Sequence, residues 1–225
     1  GHPDFIPKFS ILDPTFTYSV PASQTAAGTA DMMSHTFENY FTLHDGAFIS
    51  NRLAEAVLQT CIQYAPIALR EPDNYEARAN LMWASSLAIN GLLKYGKDCP
   101  WSIHAMEHAL SAYYDVTHGV GLAILTPAWM EYIPDDTTAQ MLADYGYHVW
   151  QLERSLDTMS AAKEAINKTR EFFASLGIPM LLRQLGIPED MLETMAKSAP
   201  KGGDTINGVK PLHWQDVLNI YKMAY

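Results

Sequence analysis

Eight histidines occur in this chain of 225 residues, and three of them, His104, His108 and His118, fall close together with Gly119 directly after. A second group lies upstream: Asp31, His35 and, three residues on, Glu38. Imidazole and carboxylate both ligate divalent cations, and spacing limits which of them can share one. Asp31 and His35 are four apart, as are His104 and His108, so on a helix each pair points from one face. His118 lies fourteen residues beyond His104. A straight helix would hold the two about 21 Å apart, too far for one ion. A site containing both therefore requires the helix to end near Tyr113–Asp115 and the chain to double back, with Gly119 permitting close approach. One carboxylate with three imidazoles suits a borderline ion, Fe2+ or Zn2+, better than Ca2+ or Mg2+. Such a centre keeps residual positive charge and can act as a Lewis acid on an alcohol or carbonyl oxygen. Zinc hydrolases ask much the same of bound water, so the ligand types alone do not name the reaction.

The elements that must position these residues are helical. From about Ser23 onward the apolar residues recur at three- and four-residue steps. Leu53, Val57, Cys61, Tyr64 and Ala68 share one face of a helix over 51–70, which Pro66 should kink. Asp73 and Glu76 resemble a capping box opening a helix over roughly Tyr75–Tyr95, with Gly96 as its stop. Ser160–Leu176 makes another amphipathic run closed by Gly177 and Pro179, and shorter helices are expected near Glu189–Lys197 and Trp214–Ala224, with a loop at Gly202-Gly203 between them. Ahead of all this, residues 8–12 read as a short strand halted by Asp13-Pro14. No later segment offers it a partner, which implies a sheet outside this sequence. The expected fold class is all-α with an extended N-terminal lead-in. No repeat or glycine-rich phosphate loop interrupts it.

Composition narrows the partners. Hydrophobic residues make up 48% of the chain and charged residues 18%, enough for a real core. The formal net charge is -10 with no basic cluster, which excludes a nucleic-acid partner. Cys61 and Cys99 form no CxxC pair, so neither a disulfide framework nor a thiolate zinc site is expected. No apolar run is long enough to span a bilayer and no signal-peptide pattern opens the chain, so a cytoplasmic protein without a membrane partner is expected. Gly1-His2 reads as a cloning remnant.

The segments Asp31-Met-Met-Ser-His35-Thr-Phe-Glu38-Asn-Tyr40 and His104-xxx-His108-x9-His118-Gly119 resemble the two signatures of the iron-containing (group III) alcohol dehydrogenase family. Residues 71–84 and 119–127 resemble its butanol dehydrogenase and broad-range aldehyde reductase branch, and the likeness runs from about Pro3 to Tyr225. The resemblance implies the helical C-terminal metal-binding domain of a dehydroquinate synthase-like fold. It implies Asp31, His35, His104 and His118 as metal ligands, and His108 as a non-ligating group beside the nicotinamide, a proton relay or cofactor contact. It further implies an NAD(H)- or NADP(H)-dependent enzyme interconverting primary alcohols and aldehydes, whose glycine-rich N-terminal nucleotide-binding domain is not in this sequence. Residues 1–18 would then be tag remnant and trailing strand or linker of that domain, and residues 19–225 the helical catalytic domain. Partners on this view are a small alcohol or aldehyde, the N-terminal domain and, as an open option, a second copy in a homodimer. The isolated domain is expected to be inactive.

The remaining candidates read more plainly. Glu38 is expected on the helix surface or as a partner to a ligand, and Glu107 as exposed. His44, His148 and His213 carry no spacing signal and are expected at the surface. Trp83, Met82 and Met33 could line a pocket, although such residues at helical spacing more often form core; Tyr113 and Tyr114 are read the same way. The competing function is a helical HD-type metal-dependent phosphohydrolase, on the strength of the His44-Asp45 dipeptide.

Overall fold

The computed structural model describes residues 7–43 and 46–225. Helix α1 (Ala22–Tyr40) follows Pro21 and is rich in small residues over its first half, where Ala26, Ala27, Thr29 and Ala30 are buried. That narrow face lets other helices approach closely, and α1 packs against α2 (Phe48–Arg70), α3 (Tyr75–Ile89), α4 (Ile103–Tyr114) and α5 (His118–Tyr132). Helix α5 is apolar on nearly every side, with an unbroken buried run from Gly121 to Met130, as expected of a helix at the centre of a bundle. Helices α6 (Thr138–His148) and α7 (Thr158–Ser175) pack on one another, the latter leaning on α5. Helices α8 (Leu192–Ser198) and α9 (Trp214–Met223) close the end. Between these last two a small hairpin pairs β1 (Thr205–Ile206) with β2 (Leu212–His213), antiparallel, with Thr205 opposite His213. Among the described residues no helix is long and apolar enough to cross a membrane.

The helical architecture agrees with the all-α expectation, and three local readings change. Residues 8–12 form no strand: they run irregularly and exposed, with Phe9 and Ile11 over four-fifths accessible. A strand needs a partner for its backbone groups, and none lies beside this segment among the described residues. Helix α3 stops at Ile89 rather than Tyr95, because Asn90 caps it and Gly91 takes the left-handed conformation at φ 90°. Its start is capped not by Asp73 but by Asn74, whose side chain accepts from the Ala77 N–H and donates to Glu71. Helix α2 continues as one element through Pro66, and its buried face uses Ala54, Leu58 and Ala65 while Leu53 is exposed.

Candidate metal centre

Helix α4 ends at Tyr114, and Asp115 takes a left-handed conformation at φ 51° that reverses the chain. The Ser111 hydroxyl, 3.0 Å from the Val116 carbonyl, closes the turn. Helix α5 then begins at His118 itself. Gly119 is pressed against α1: a Cβ there would lie 1.9 Å from the carbonyl oxygen of Ala27, so only glycine allows the two helices this contact. The break and the close approach required for His104 and His118 to come together are both present.

The result is a convergence on Asp31 Oδ1. His35 Nε2 lies 3.3 Å from that oxygen, His118 Nε2 3.8 Å and His104 Nε2 3.9 Å. Four donors about 2.1 Å from one ion in a tetrahedron stand about 3.4 Å apart; Asp31, His35 and His104 bring ligand atoms within 4.8 Å of one another, and His118 reaches the group through Asp31 Oδ1. Asp31 Oδ1 and His104 Nε2 are both buried with no hydrogen-bond partner. Orphaned buried polar atoms are costly, and two facing the same point fit a cation between them.

Two carboxylates stand behind the imidazoles. Glu38, almost fully buried, accepts from the backbone N–H groups of Ser102 and His104, 3.0 Å each, and lies 3.3 Å from His104 Nδ1. Glu107 meets His118 Nδ1 and accepts from the Ser111 hydroxyl at 2.5 Å. Each carboxylate thus holds one ring nitrogen and turns the other toward Asp31, as metal-ligating histidines require. Glu38 fits the partner role considered for it. Glu107 corrects the expectation of exposure: it is 0% exposed. Gly121 makes its place, since a Cβ there would fall 2.8 Å from Glu107 Cγ.

The electrostatics follow from this arrangement. Burial pushes the Asp31 carboxyl up, but the neighbouring His35, His118 and His104 outweigh it and hold the carboxyl below its ordinary value. The hydrogen bond to Glu107 raises His118 against the opposing effect of burial. His108 is lowered, first by burial and then by the positive charge of Lys201. Among the described residues, the ion-pair partners of Asp31, Glu38 and Glu107 are histidines only. Three carboxylates so placed call for a cation.

His108 stands apart from the four. Its ring stacks on that of His118 at 5.6 Å between centroids, and the Lys201 Nζ lies 3.4 Å from its Nδ1. It opens onto a cavity of about 220 Å³ shared with Trp101, His104, Pro200, Lys201 and Ile206. A larger cavity of about 350 Å³ reaches Asp31 from the side of Gln24, Gly28, Arg78 and Leu81. Glu107, His108 and His118 also bring ligand-type atoms within 4.8 Å of one another, but there His118 Nδ1 already belongs to Glu107.

Other candidates lie elsewhere. Met33 is core, Met82 lines the larger cavity, and Trp83 sits exposed on the surface. Tyr113 is exposed and Tyr114 packs at the core's edge. His213 caps α9 at the surface. His148, expected at the surface, is instead half-buried against Glu55. His44 and Asp45, on which the phosphohydrolase alternative rested, lie outside the described residues. Trp101, Lys201 and the buried state of Glu107 were not anticipated; for Glu107 the signal is the rule that a ligating imidazole seeks a carboxylate for its second nitrogen.

Residues 25–225 match the family described as Fe-containing alcohol dehydrogenase family, C-terminal. The whole chain is 59% identical to NADH-dependent butanol dehydrogenase A of Clostridium acetobutylicum and spans 58% of that protein's length. Its fold superposes on the substrate- and cofactor-free aldehyde reductase YqhD of Escherichia coli with a TM-score of 0.92 at 35% identity, covering 98% of this chain and 58% of that one. For NADH-dependent butanol dehydrogenase A of Thermotoga maritima the TM-score is 0.89 at 33% identity, covering 97% and 56%.

Proposed function

The chain belongs to the Fe-containing alcohol dehydrogenase family, and from that premise we propose that it is the metal-holding helical part of an enzyme interconverting primary alcohols and aldehydes. Residues 1–18 are read as lead-in and residues 19–225 as the helical domain; NAD(H) or NADP(H) would be bound mainly by the remainder of a longer enzyme. Asp31, His35, His104 and His118 would hold one Fe2+ or Zn2+. The observation that carries this is the pair of orphaned buried atoms, Asp31 Oδ1 and His104 Nε2, with two further imidazole nitrogens within 3.8 Å of the same oxygen.

A divalent ion bound there would polarise the alcohol or carbonyl oxygen, and the nicotinamide would carry the hydride. The chain's own residues prepare the place. Asp31 supplies the one negative ligand. Glu38 and Glu107 fix the rings of His104 and His118. His108 faces the cavity beside the cluster. The Lys201 ammonium can only donate toward its Nδ1, so in the neutral ring the proton sits on Nε2. A neutral imidazole so placed can pass a proton between a reacting oxygen and solvent. The apolar walls of the 220 Å³ cavity suit a short alkyl chain, in keeping with relatives named for butanol and aldehydes.

The test is His108→Ala in an enzyme form that includes a nucleotide-binding domain, assayed with 1-butanol and NAD+ or NADP+. Turnover is expected to fall about 100-fold with metal content unchanged. Loss of the metal together with activity would contradict the relay role.

A further inference from the structure

Of the three imidazoles that face Asp31, two have a carboxylate behind them and one does not. His104 Nδ1 has Glu38 and His118 Nδ1 has Glu107. His35 Nδ1 is buried and has no hydrogen-bond partner. With Nε2 directed at Asp31, a neutral His35 ring that ligates through Nε2 carries its proton on Nδ1, and a bare buried N–H is unusual enough to need a reason.

Trp101 stands against this ring. The two centroids are 4.8 Å apart and the planes cross at 82°. Near-perpendicular rings set the edge of one on the face of the other, the arrangement in which an N–H meets the negative face of a π system. The same indole lies 4.7 Å from His104 at 39°, so it braces imidazoles from two helices at once. The other ring crossing His35 steeply is His104 itself, 4.5 Å away at 67°. An imidazole that donates its electrons to a cation is the poorer acceptor, whereas indole has the most electron-rich face among the side chains.

We propose that Trp101 accepts the His35 Nδ1–H on its indole face and so does for His35 what Glu38 and Glu107 do for the other two rings. Trp101 is a positioning residue, and this role rests on the reading of His35 as a ligand through Nε2. An uncharged acceptor orients the ring without adding negative charge. The negative charge around the centre is therefore concentrated on the side of His104 and His118.

The experiment uses this chain with 15N-labelled histidine, loaded with Zn2+ alone and followed by proton–nitrogen correlation spectra. His104 and His118 are expected to show Nδ1–H protons far downfield, as carboxylate-bound protons do. The His35 Nδ1–H is expected well upfield of both, shifted by the indole ring current. Trp101→Ala should move it downfield and weaken Zn2+ binding about tenfold or more, while Trp101→Phe, which keeps an aromatic face, recovers most of the affinity and part of the upfield shift. A His35 Nδ1–H as far downfield as the other two, in a chain that binds Zn2+, overturns the role of Trp101 and leaves the metal centre standing. Failure of the unsubstituted chain to bind Zn2+ overturns the metal reading and this inference with it. Should Trp101→Ala fail to fold, the unsubstituted spectrum and Trp101→Phe decide the question.

Discussion

Glu55 and Asp31 each stand in a cluster with histidines, and the two clusters are built in opposite ways. Glu55 is buried and met by the Tyr40 hydroxyl at 2.8 Å, by Arg52 and by His148 Nδ1 at 3.1 Å, while Arg154 approaches His148 Nε2 at 3.2 Å. Two arginines more than match the one carboxylate, and both imidazole nitrogens are engaged. Around Asp31 the balance is reversed. Three carboxylates have only histidines as ion-pair partners among the described residues, and two buried atoms point at a common centre with no partner. A carboxylate matched by arginine and a hydroxyl holds helices together; one that faces only imidazoles, with its own oxygen and a facing nitrogen unsatisfied, is shaped around something else. Both contain histidine and a buried carboxylate, so residue type alone does not separate them.

The sharpest way to break this comparison is to remove a converging nitrogen. His118→Ala is expected to lower Zn2+ affinity at least 1,000-fold, on the order of 4 kcal/mol of binding, measured by competition with a chelating dye. His148→Ala should leave that affinity unchanged. Equal losses from the two would erase the distinction.

Gly119→Ala comes next, because its methyl has no space beside the Ala27 carbonyl. Forcing α5 away from α1 is expected to cost on the order of 3 kcal/mol of stability and to weaken Zn2+ binding as His118 leaves Asp31. Thermal unfolding and the dye titration read the two effects separately.

Glu107→Gln keeps the shape but removes the charge behind His118. Zn2+ affinity should fall about 10- to 100-fold while helical content by circular dichroism stays level. Glu55→Gln, the matching change in the arginine-matched cluster, is expected to lower stability by about 1–3 kcal/mol with no change in Zn2+ affinity. An affinity change with Glu55→Gln as large as that from Glu107→Gln would show that the clusters are not independent.

Much of the centre was legible because arithmetic constrained it. His104 and His118 cannot share an ion along a straight helix, so a shared site required a turn near Tyr113–Asp115, and Asp115 reverses the chain there. The segments matching family signatures carried the likeness that the comparisons then established. Glu107 was misread for a physical reason: a glutamate on a helix is exposed by default, and its partner His118 arrives only after the turn. The His35–Trp101 contact is equally tertiary, joining α1 to the stretch before α4, and spacing within one helix carries no trace of it. Residues 8–12 show the same limit: the apolar pattern supplies no pairing edge, and within this chain they stay irregular. Gly96 is a stop signal that helix α3 never reaches, because Asn90 and the left-handed Gly91 end it first.

The most direct test of the central claim is the metal content of the purified chain after Zn2+ or Fe2+ loading and desalting, with His104→Ala prepared in parallel. About one ion per chain, reduced to background by the substitution, is the predicted result. An ion count that His104→Ala leaves unchanged would contradict the assignment of Asp31, His35, His104 and His118 as one metal centre.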